Sequence, residues 1–226
     1  MNFVEYIKHH QYGHIPSSLS HLYYLIHIFT NKFVIPYEDN IVIGKPFGSS
    51  AYYYIWEKMG YIPSRRYCDV TKEFEIPFVD YSGETLGNSL GVSSGIELGN
   101  NKLTYVNMSD SQLQMGPTLE SIQFIGRHKQ NIVLTIDYNK KQLTGDLLTN
   151  LKSDMTMFNL NGWKSYSIDN PSDINKSMFS HNHPVVIFVN TIKGKGIKEM
   201  ENDPVYWHYK PIEDEQLTVD KELLSL

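Results

Sequence analysis

Apolar residues follow two spacings along the chain, and each spacing predicts one kind of element. A repeat of three to four residues predicts helices in five segments: 14–30, 51–60, 86–98, 117–128 and 147–159. Ser17, Ser18 and Ser20 offer N-caps near the start of the first helix, and Gly60 ends the second. Short apolar and β-branched runs predict strands in four segments: 103–108, 132–137, 165–168 and 184–190. Residues 65–83 show neither spacing, and we expect a long loop there.

The alternation of strands and helices from residue 103 onward predicts an α/β fold. Strands separated by helices of this length pair in parallel, so we expect a doubly wound parallel sheet flanked by helices, in one domain over residues 1–226. Ligands of such sheets bind at the carboxyl ends of the strands. The loops after Met108, Asp137 and Asn190 are therefore the first places to look for chemistry.

Composition narrows the class of protein. The 226 residues are 41% hydrophobic with a formal net charge of -5, which argues against a general electrostatic grip on nucleic acid. The single cysteine, Cys68, cannot form an internal disulfide, as suits a reducing compartment. Residues 1–13 lack the pattern of a signal peptide, and the longest apolar stretch, near 22–28, is too short to span a bilayer. We expect a cytoplasmic protein that does not enter a membrane.

Oxygen-bearing side chains follow two of the predicted strands. Asp110 comes after the first strand and Asn139 after the second, and a carboxylate, an amide oxygen and a backbone carbonyl suit Mg²⁺. Ser111 and Gln112 lead into a helix, whose free N–H groups favour a phosphate. On these residues alone, ordinary turn and cap roles are the more frequent reading.

Five segments together resemble the transketolase family, specifically its N-terminal, cofactor-binding domain as found in two-chain members. Residues 13–20 (GHIPSSLS) resemble the family's Gly-His-x-Gly-x-x-Leu-Ser, and residues 86–91 (LGNSLG) its Leu-Gly-Gln-Gly-hydrophobic-Ser. The block around Asp110 resembles Gly-Asp-Gly-x-x-Gln-Glu-Gly, and residues 137–139 (DYN) resemble Asp-x-Asn. Residues 191–208 resemble the Lys-Gly-Lys-Gly…Met-Glu-Asn…Trp-His ending. These segments occur in the family's order over about residues 13–210.

The resemblance implies a site for thiamine diphosphate and Mg²⁺ (or Ca²⁺). The metal ligands would be the side chains of Asp110 and Asn139 and the backbone carbonyl of Lys141. The implied cofactor-binding residues include Leu86 at the aminopyrimidine and Leu143 near the thiazolium. The others lie in the Asp110 block and the second metal loop: Ser109, Asp110, Ser111, Gln112 and Asn139. His14 and His208 match active-site histidines of the family.

Several residues that differ from the family pattern are at positions that contact the substrate in the family. A family histidine is Phe47 here, and another falls near Thr71, so both positions are expected to line an altered substrate pocket. A site built to read hydroxyl groups loses discrimination when its polar partners are lost. We therefore expect carbon–carbon bond formation or cleavage on a specialised sugar or keto substrate. Glu84 replaces a glycine and could obstruct the pocket, and Met115 replaces a glutamate that couples the two active sites.

The resemblance also implies a partner. In the family, the glutamate that activates the aminopyrimidine lies in a second, pyrimidine-binding domain, which we expect on a separate C-terminal subunit in an α2β2 assembly. The alternative is a degenerate homologue that serves in binding or regulation, as Ser109, Ser111, Met115 and Glu84 would allow. A Mg²⁺-dependent nucleotide-binding domain is a third reading, but no Gly-rich loop followed by Lys-Ser/Thr supports it.

Overall fold

A six-stranded parallel sheet is the centre of the computed structural model, which describes residues 1–71, 75–179, 183–212 and 217–220. The spatial order of its strands is β2-β1-β3-β4-β8-β7, and a separate two-stranded antiparallel hairpin joins β5 and β6. The strands are β1 (Asn40–Ile43), β2 (Tyr81–Ser82), β3 (Thr104–Ser109), β4 (Ile132–Tyr138), β5 (Lys141–Gln142), β6 (Gly145–Asp146), β7 (Lys164–Ile168) and β8 (Val185–Asn190).

Helices cover both faces of the sheet. They are α1 (Phe3–His10), α2 (Ile15–Thr30), α3 (Ser49–Lys58), α4 (Ser89–Asn100), α5 (Gly116–His128), α6 (Leu151–Leu160) and α7 (Lys198–Asn202). Alternate residues of β4 enter two different cores, because successive side chains of a strand point to opposite faces. Val133 packs with α1, α2 and α3, whereas Leu134 and Ile136 pack with α4, α5 and α6. The predicted α/β class with a flanked parallel sheet is confirmed.

Two predicted helices begin later than expected. The segment 86–98 becomes helical only at Ser89, because Gly87 takes a left-handed conformation with φ of 93°. The segment 147–159 becomes helical only at Leu151, where the side chain of Asn150 accepts a hydrogen bond from the Ser153 N–H and caps the helix. Residues before that cap belong to the β5–β6 hairpin and its flank.

Elements near the amino-terminal half were missed by the sequence analysis. Helix α1 and strand β1 were not predicted, and the expected loop 65–83 ends in the short strand β2. Strand β1 is only four residues long, although all four are buried. Gly44 follows it, at a place where an added Cβ would lie 2.5 Å from Ser89 Oγ and 2.7 Å from the Asn107 carbonyl oxygen. Only a glycine therefore fits at this position without displacing its neighbours.

Candidate cofactor and metal site

The register of β3 and β4 brings Asp110 and Asn139 to one edge of the sheet. Ser109 pairs with Asp137 at the ends of these neighbouring strands, so both loops leave the sheet together. Asp110 Oδ2 accepts a hydrogen bond from the Lys140 N–H at 2.6 Å, and Asn139 Oδ1 accepts one from the Lys141 N–H at 2.9 Å. The two side chains therefore contact successive N–H groups of one loop.

Asp110 is a buried carboxyl group with charged neighbours of both signs. Burial raises its pKa to about 7, with a further contribution from the charge of Asp137, although hydrogen bonds from the Lys140 and Ser111 N–H groups oppose the shift. A nearby cation would stabilise the ionised form of a carboxyl group buried in this way. Its oxygens also have lone pairs beyond the two that these N–H groups use. The donor set of carboxylate, amide oxygen and loop carbonyls therefore fits a hard divalent ion.

Asp137 is the centre of a buried polar group, which we call the Asp137 cluster: Ser20, Lys45, Asp137, Asn139 and Thr191. Lys45 and Asp137 form an ion pair, and Lys45 Nζ also donates to the Ser17 carbonyl at 2.7 Å. Burial alone would raise the pKa of Asp137, but the charge and hydrogen bond of Lys45 outweigh it and lower that pKa below its usual value. The cluster joins α2, β4 and the loops after β1, β4 and β8.

A cavity of about 510 Å³ opens beside these groups. Its lining residues are Ser17, Lys45, Phe47, Leu86, Ser109, Ser111, Gln114, Met115, Asn139, Lys141, Gln142, Leu143, Thr144, Lys193, His208 and Tyr209. Most of the residues that the resemblance assigns to cofactor, metal or substrate are among them. Asp110 is outside this set: it is only 1% exposed and lies beneath the lining between Ser109 and Ser111.

Two predicted residues have other neighbours. The hydroxyl of Thr71 accepts from Tyr53 and donates to Ser49 Oγ, each at 2.8 Å, and Thr71 does not line the cavity. Gln112 does not line it either, since its Nε2 donates to the Gly44 carbonyl at 2.7 Å and its Oε1 accepts from the Gly87 N–H at 3.0 Å. Thr71 thus belongs to the scaffold behind α3, and Gln112 ties together the loops that shape the cavity.

The two histidines lie next to each other: His208 lines the cavity, and His14, which is not among the lining residues, packs against His208. The rings of His14 and His208 are 5.5 Å apart, and His14 also contacts Phe47 at 5.0 Å. Both ring nitrogens of His14 are buried without a hydrogen-bond partner among the described residues. Burial lowers the pKa of His14, and burial with the charge of Lys193 lowers the pKa of His208 to about 4. Both imidazoles are therefore neutral at neutral pH, and each carries one N–H donor and one acceptor nitrogen.

Lys193 is a functional candidate that the sequence analysis missed. It is 6% exposed, and burial together with the charge of Lys45 lowers its pKa to about 8. Its Nζ lies 3.4 Å from His208 Nδ1. Lys45 and Thr191 were missed as well. The available signal for Lys193 and Thr191 was position, because both follow β8 at the carboxyl edge of the sheet, whereas Lys45 follows β1, which the sequence did not predict.

Glu84 and Met115, the two residues that differ from the family pattern and could block the site, lie in different places. Glu84 is exposed and is not among the lining residues, so it does not fill the cavity. Met115 does line the cavity, and its Sδ would lie 2.9 Å from a Cβ added at Gly87. Met115 thus takes up space at the cavity wall against the left-handed turn.

Other kinds of site are not evident in the part of the chain that the structure describes. No group of three or more His, Cys, Asp or Glu residues is arranged to hold a metal there, so an ion would depend on Asn139 and backbone carbonyls beside Asp110. Within the same ranges, none of the helices combines the length and apolar composition needed to cross a bilayer.

Metal affinity at this site should depend on pH through Asp110. The folded-state pKa of about 7 lies above the ordinary aspartate value, so the carboxyl is protonated below pH 7 and a cation must displace that proton. We expect the affinity for a divalent cation to be constant above pH 7 and to fall by up to about tenfold per pH unit below it. Without metal, the raised pKa favours folding below about pH 4, and this contribution is lost as pH rises through 7.

Calorimetry between pH 5.5 and 8, in buffers of different ionisation enthalpy, measures this directly. About one proton should be released on binding at pH 6 and almost none at pH 8. Equal affinity and no proton release across this range would show that a proton and the metal do not compete for Asp110.

Comparison with known proteins finds sequence similarity to proteins that are named as transketolase subunits. It is 26% identical over 237 residues to a subunit of the apulose-4-phosphate transketolase of Phocaeicola vulgatus, covering 91% of this chain and 84% of that protein. It is 25% identical over 218 residues to a subunit of the 6-deoxy-6-sulfo-D-fructose transketolase of a Clostridium species, covering 81% and 78% respectively. No family model matches the chain.

Solved transketolases have the same fold. The structure from Campylobacter jejuni matches 88% of this chain with a TM-score of 0.67 and 20% identity, and that from Leishmania mexicana matches 87% with a TM-score of 0.69 and 16% identity. The chain spans only 40% and 36% of the lengths of these two proteins. The resemblance indicated by the sequence motifs is thereby confirmed: the chain is similar to transketolase subunits in sequence and has the fold of solved transketolases.

Proposed function

We propose that this chain is the diphosphate- and metal-binding subunit of a thiamine-diphosphate-dependent transferase that makes or breaks carbon–carbon bonds by ketol or acyl transfer. The observation that carries the proposal is the meeting of Asp110 and Asn139 on one loop, at the ends of adjacent parallel strands and beside a cavity of about 510 Å³. Edges of this kind are where parallel sheets bind their ligands.

The residues present fit the cofactor in charge and polarity. Asp110, Asn139 and the Lys141 carbonyl would hold Mg²⁺ or Ca²⁺ against the diphosphate, while Leu86 and Leu143 would lie along the rings. When bound, thiamine diphosphate supplies a carbon nucleophile and an acceptor for the electrons of the broken bond. Ser109 and Ser111 line the cavity with their hydroxyl oxygens 2.9 Å apart, and hydroxyl groups can donate hydrogen bonds to an anion.

His14 and His208 would handle protons on substrate oxygens. Their lowered pKa values keep both imidazoles neutral near pH 7, so each offers one N–H donor and one acceptor nitrogen to substrate oxygens. If Lys193 donates to His208 Nδ1, the proton of His208 lies on Nε2, which fixes its tautomer. Lys193 also supplies positive charge to an anionic group in the cavity.

The proposed substrate is a specialised sugar or keto compound. Phe47 gives the cavity an apolar wall beside His14, where the family pattern has a second imidazole. The two relatives compared above are named for anionic sugars, apulose 4-phosphate and 6-deoxy-6-sulfo-D-fructose. Buried Lys193 and Lys45 favour a substrate or cofactor that carries negative charge.

A partner chain completes the proposal. Both relatives are named as subunits of their enzymes. We propose a C-terminal transketolase-like partner that carries the pyrimidine-binding domain, an active site between the two chains and an α2β2 complex in the cytoplasm. The test is copurification of the partner, followed by calorimetry with thiamine diphosphate and Mg²⁺. We expect weak binding by the chain alone, and tight binding with turnover by the complex.

The degenerate homologue is the second candidate, and Met115 favours it. This side chain lines the cavity where the family pattern has a glutamate that couples the two active sites. A complex that forms with the partner but does not bind thiamine diphosphate would support a regulatory role. Tight cofactor binding and turnover by the chain alone would contradict the two-chain proposal instead.

A further inference from the structure

We propose that Asp137 is a positioning residue that holds the side-chain amide of Asn139 in the orientation a metal ligand requires. This inference rests on the proposed function, because it assigns the device that prepares the same metal site. Nothing in the resemblance gave Asp137 a role of its own.

The amide of Asn139 is held by both of its ends. Its Nδ2 donates to Ser20 Oγ at 2.9 Å and to Asp137 Oδ2 at 3.0 Å, which uses both N–H donors of the amide. Its Oδ1 lies on the other side, where it accepts from the Lys141 N–H at 2.9 Å and keeps a lone pair. A flipped amide would bring Oδ1 against a carboxylate and Nδ2 against an N–H donor, so the observed orientation is the only one without repulsion.

Asp137 itself has no oxygen left for a cation. Oδ1 accepts from Ser20, at 2.8 Å, and from Thr191, while Oδ2 accepts from Lys45 and Asn139. Four donors fill the lone-pair positions that a carboxylate offers. The side chain is also fully buried, with an exposure of 0%. Its charge and acceptor capacity are therefore directed at its neighbours in the Asp137 cluster.

An asparagine could not replace Asp137 in this role. One end of its amide would carry N–H groups and would face two of the four donors that now point at the carboxylate. If that end faced Asn139, Asn139 Nδ2 would lose its acceptor. The interaction that keeps Asn139 Oδ1 pointing toward the metal loop would then be lost. Partners that orient a metal ligand typically change metal affinity by about 10- to 100-fold when they are replaced.

The test is binding of Mn²⁺ with inorganic diphosphate to the full chain, followed by electron paramagnetic resonance. We expect Asp137→Asn to weaken binding by about 10- to 100-fold. The matched control is Glu97→Gln, which changes another buried carboxylate. Glu97 lies in α4, on the opposite face of the sheet, and accepts a hydrogen bond from Gln130 at 2.7 Å. That variant should bind as the wild type does.

A double-mutant cycle with Asn139→Ala separates positioning from general structural support. If Asp137 acts through Asn139, Asp137→Asn has no further effect on Mn²⁺ affinity once Asn139 is alanine. Additive losses would overturn the proposal, because they would show that Asp137 affects the site independently of the amide.

Ser20→Ala keeps the proposal testable if Asp137→Asn does not fold. It removes one acceptor of the Asn139 amide without leaving a charge unpaired, and we expect about a threefold loss of affinity. Wild-type affinity in both Asp137→Asn and Ser20→Ala would refute the inference while leaving the proposed function intact. A wild-type chain that does not bind Mn²⁺ with diphosphate would contradict the proposed function, and with it the inference.

Discussion

Replacing Asp110 with alanine is expected to lower the affinity for thiamine diphosphate and Mg²⁺ by at least about 100-fold, or about 2.8 kcal/mol. The substitution removes the one charged side-chain ligand of the proposed metal site, and ligand charge is a main determinant of affinity for hard cations. Asp110→Asn should be nearly as harmful. Both carboxylate oxygens accept from backbone N–H groups, so an amide would turn its own N–H groups toward Ser111 or Lys140.

Calorimetry on the complex with the partner measures the effect, and Glu120→Ala is the matched control. Glu120 is an exposed carboxylate on α5, ten residues further along the same segment, and its loss should leave affinity unchanged. Equal binding by wild type and Asp110→Ala would show that the metal assignment is wrong. Near-ultraviolet circular dichroism of each variant would verify that the fold is retained.

Replacing Lys45 with methionine is expected to destabilise the protein by about 3 kcal/mol. The substitution leaves Asp137 buried without its counter-charge, and breaking one side of a buried pair is far more costly than its net contribution to stability. The pKa of Asp137 should rise as a result, because burial is then opposed only by His21 and by hydrogen bonds such as that from Thr191. Urea unfolding at pH 7 measures the loss.

Lys141→Met provides the matched control for this measurement. Lys141 pairs with Asp146, but the side chains are 39% and 77% exposed, and such surface pairs contribute about 0–1 kcal/mol. A loss of equal size in the two variants would show that burial of the Lys45–Asp137 pair has no special cost. Both variants replace a lysine of a Lys–Asp pair with methionine, and the two pairs differ in their solvent exposure.

The strands of the sheet from residue 103 onward could be predicted from the sequence, and so could several residues of the candidate site. The β-branched run 132–137 and its neighbours predicted the parallel sheet, and Asp110 and Asn139 were placed at strand ends by counting residues. Phe47 and His208 were assigned to the site through the family resemblance, and both line the cavity. These inferences depended on local spacing and motif order, which the sequence contains directly.

Contacts between distant segments could not be predicted in the same way. Thr71 was expected near the substrate, but it lies behind α3 because its hydroxyl packs with Tyr53 and Ser49. Lys45 received no role, since its partner Asp137 is 92 residues away and no spacing rule connects them. Strand β1 was missed because four residues are too few to show a period, although its burial between β2 and β3 is complete.

The Asp137 cluster draws on parts of the chain that are made at very different times. Ser20 is 117 residues from Asp137, and Thr191 follows it by 54. Closing such long loops costs chain entropy before any contact forms, so this part of the molecule assembles late. We therefore expect the proposed metal site to form only after β8 has docked, so that binding of the proposed cofactor would report that folding is complete.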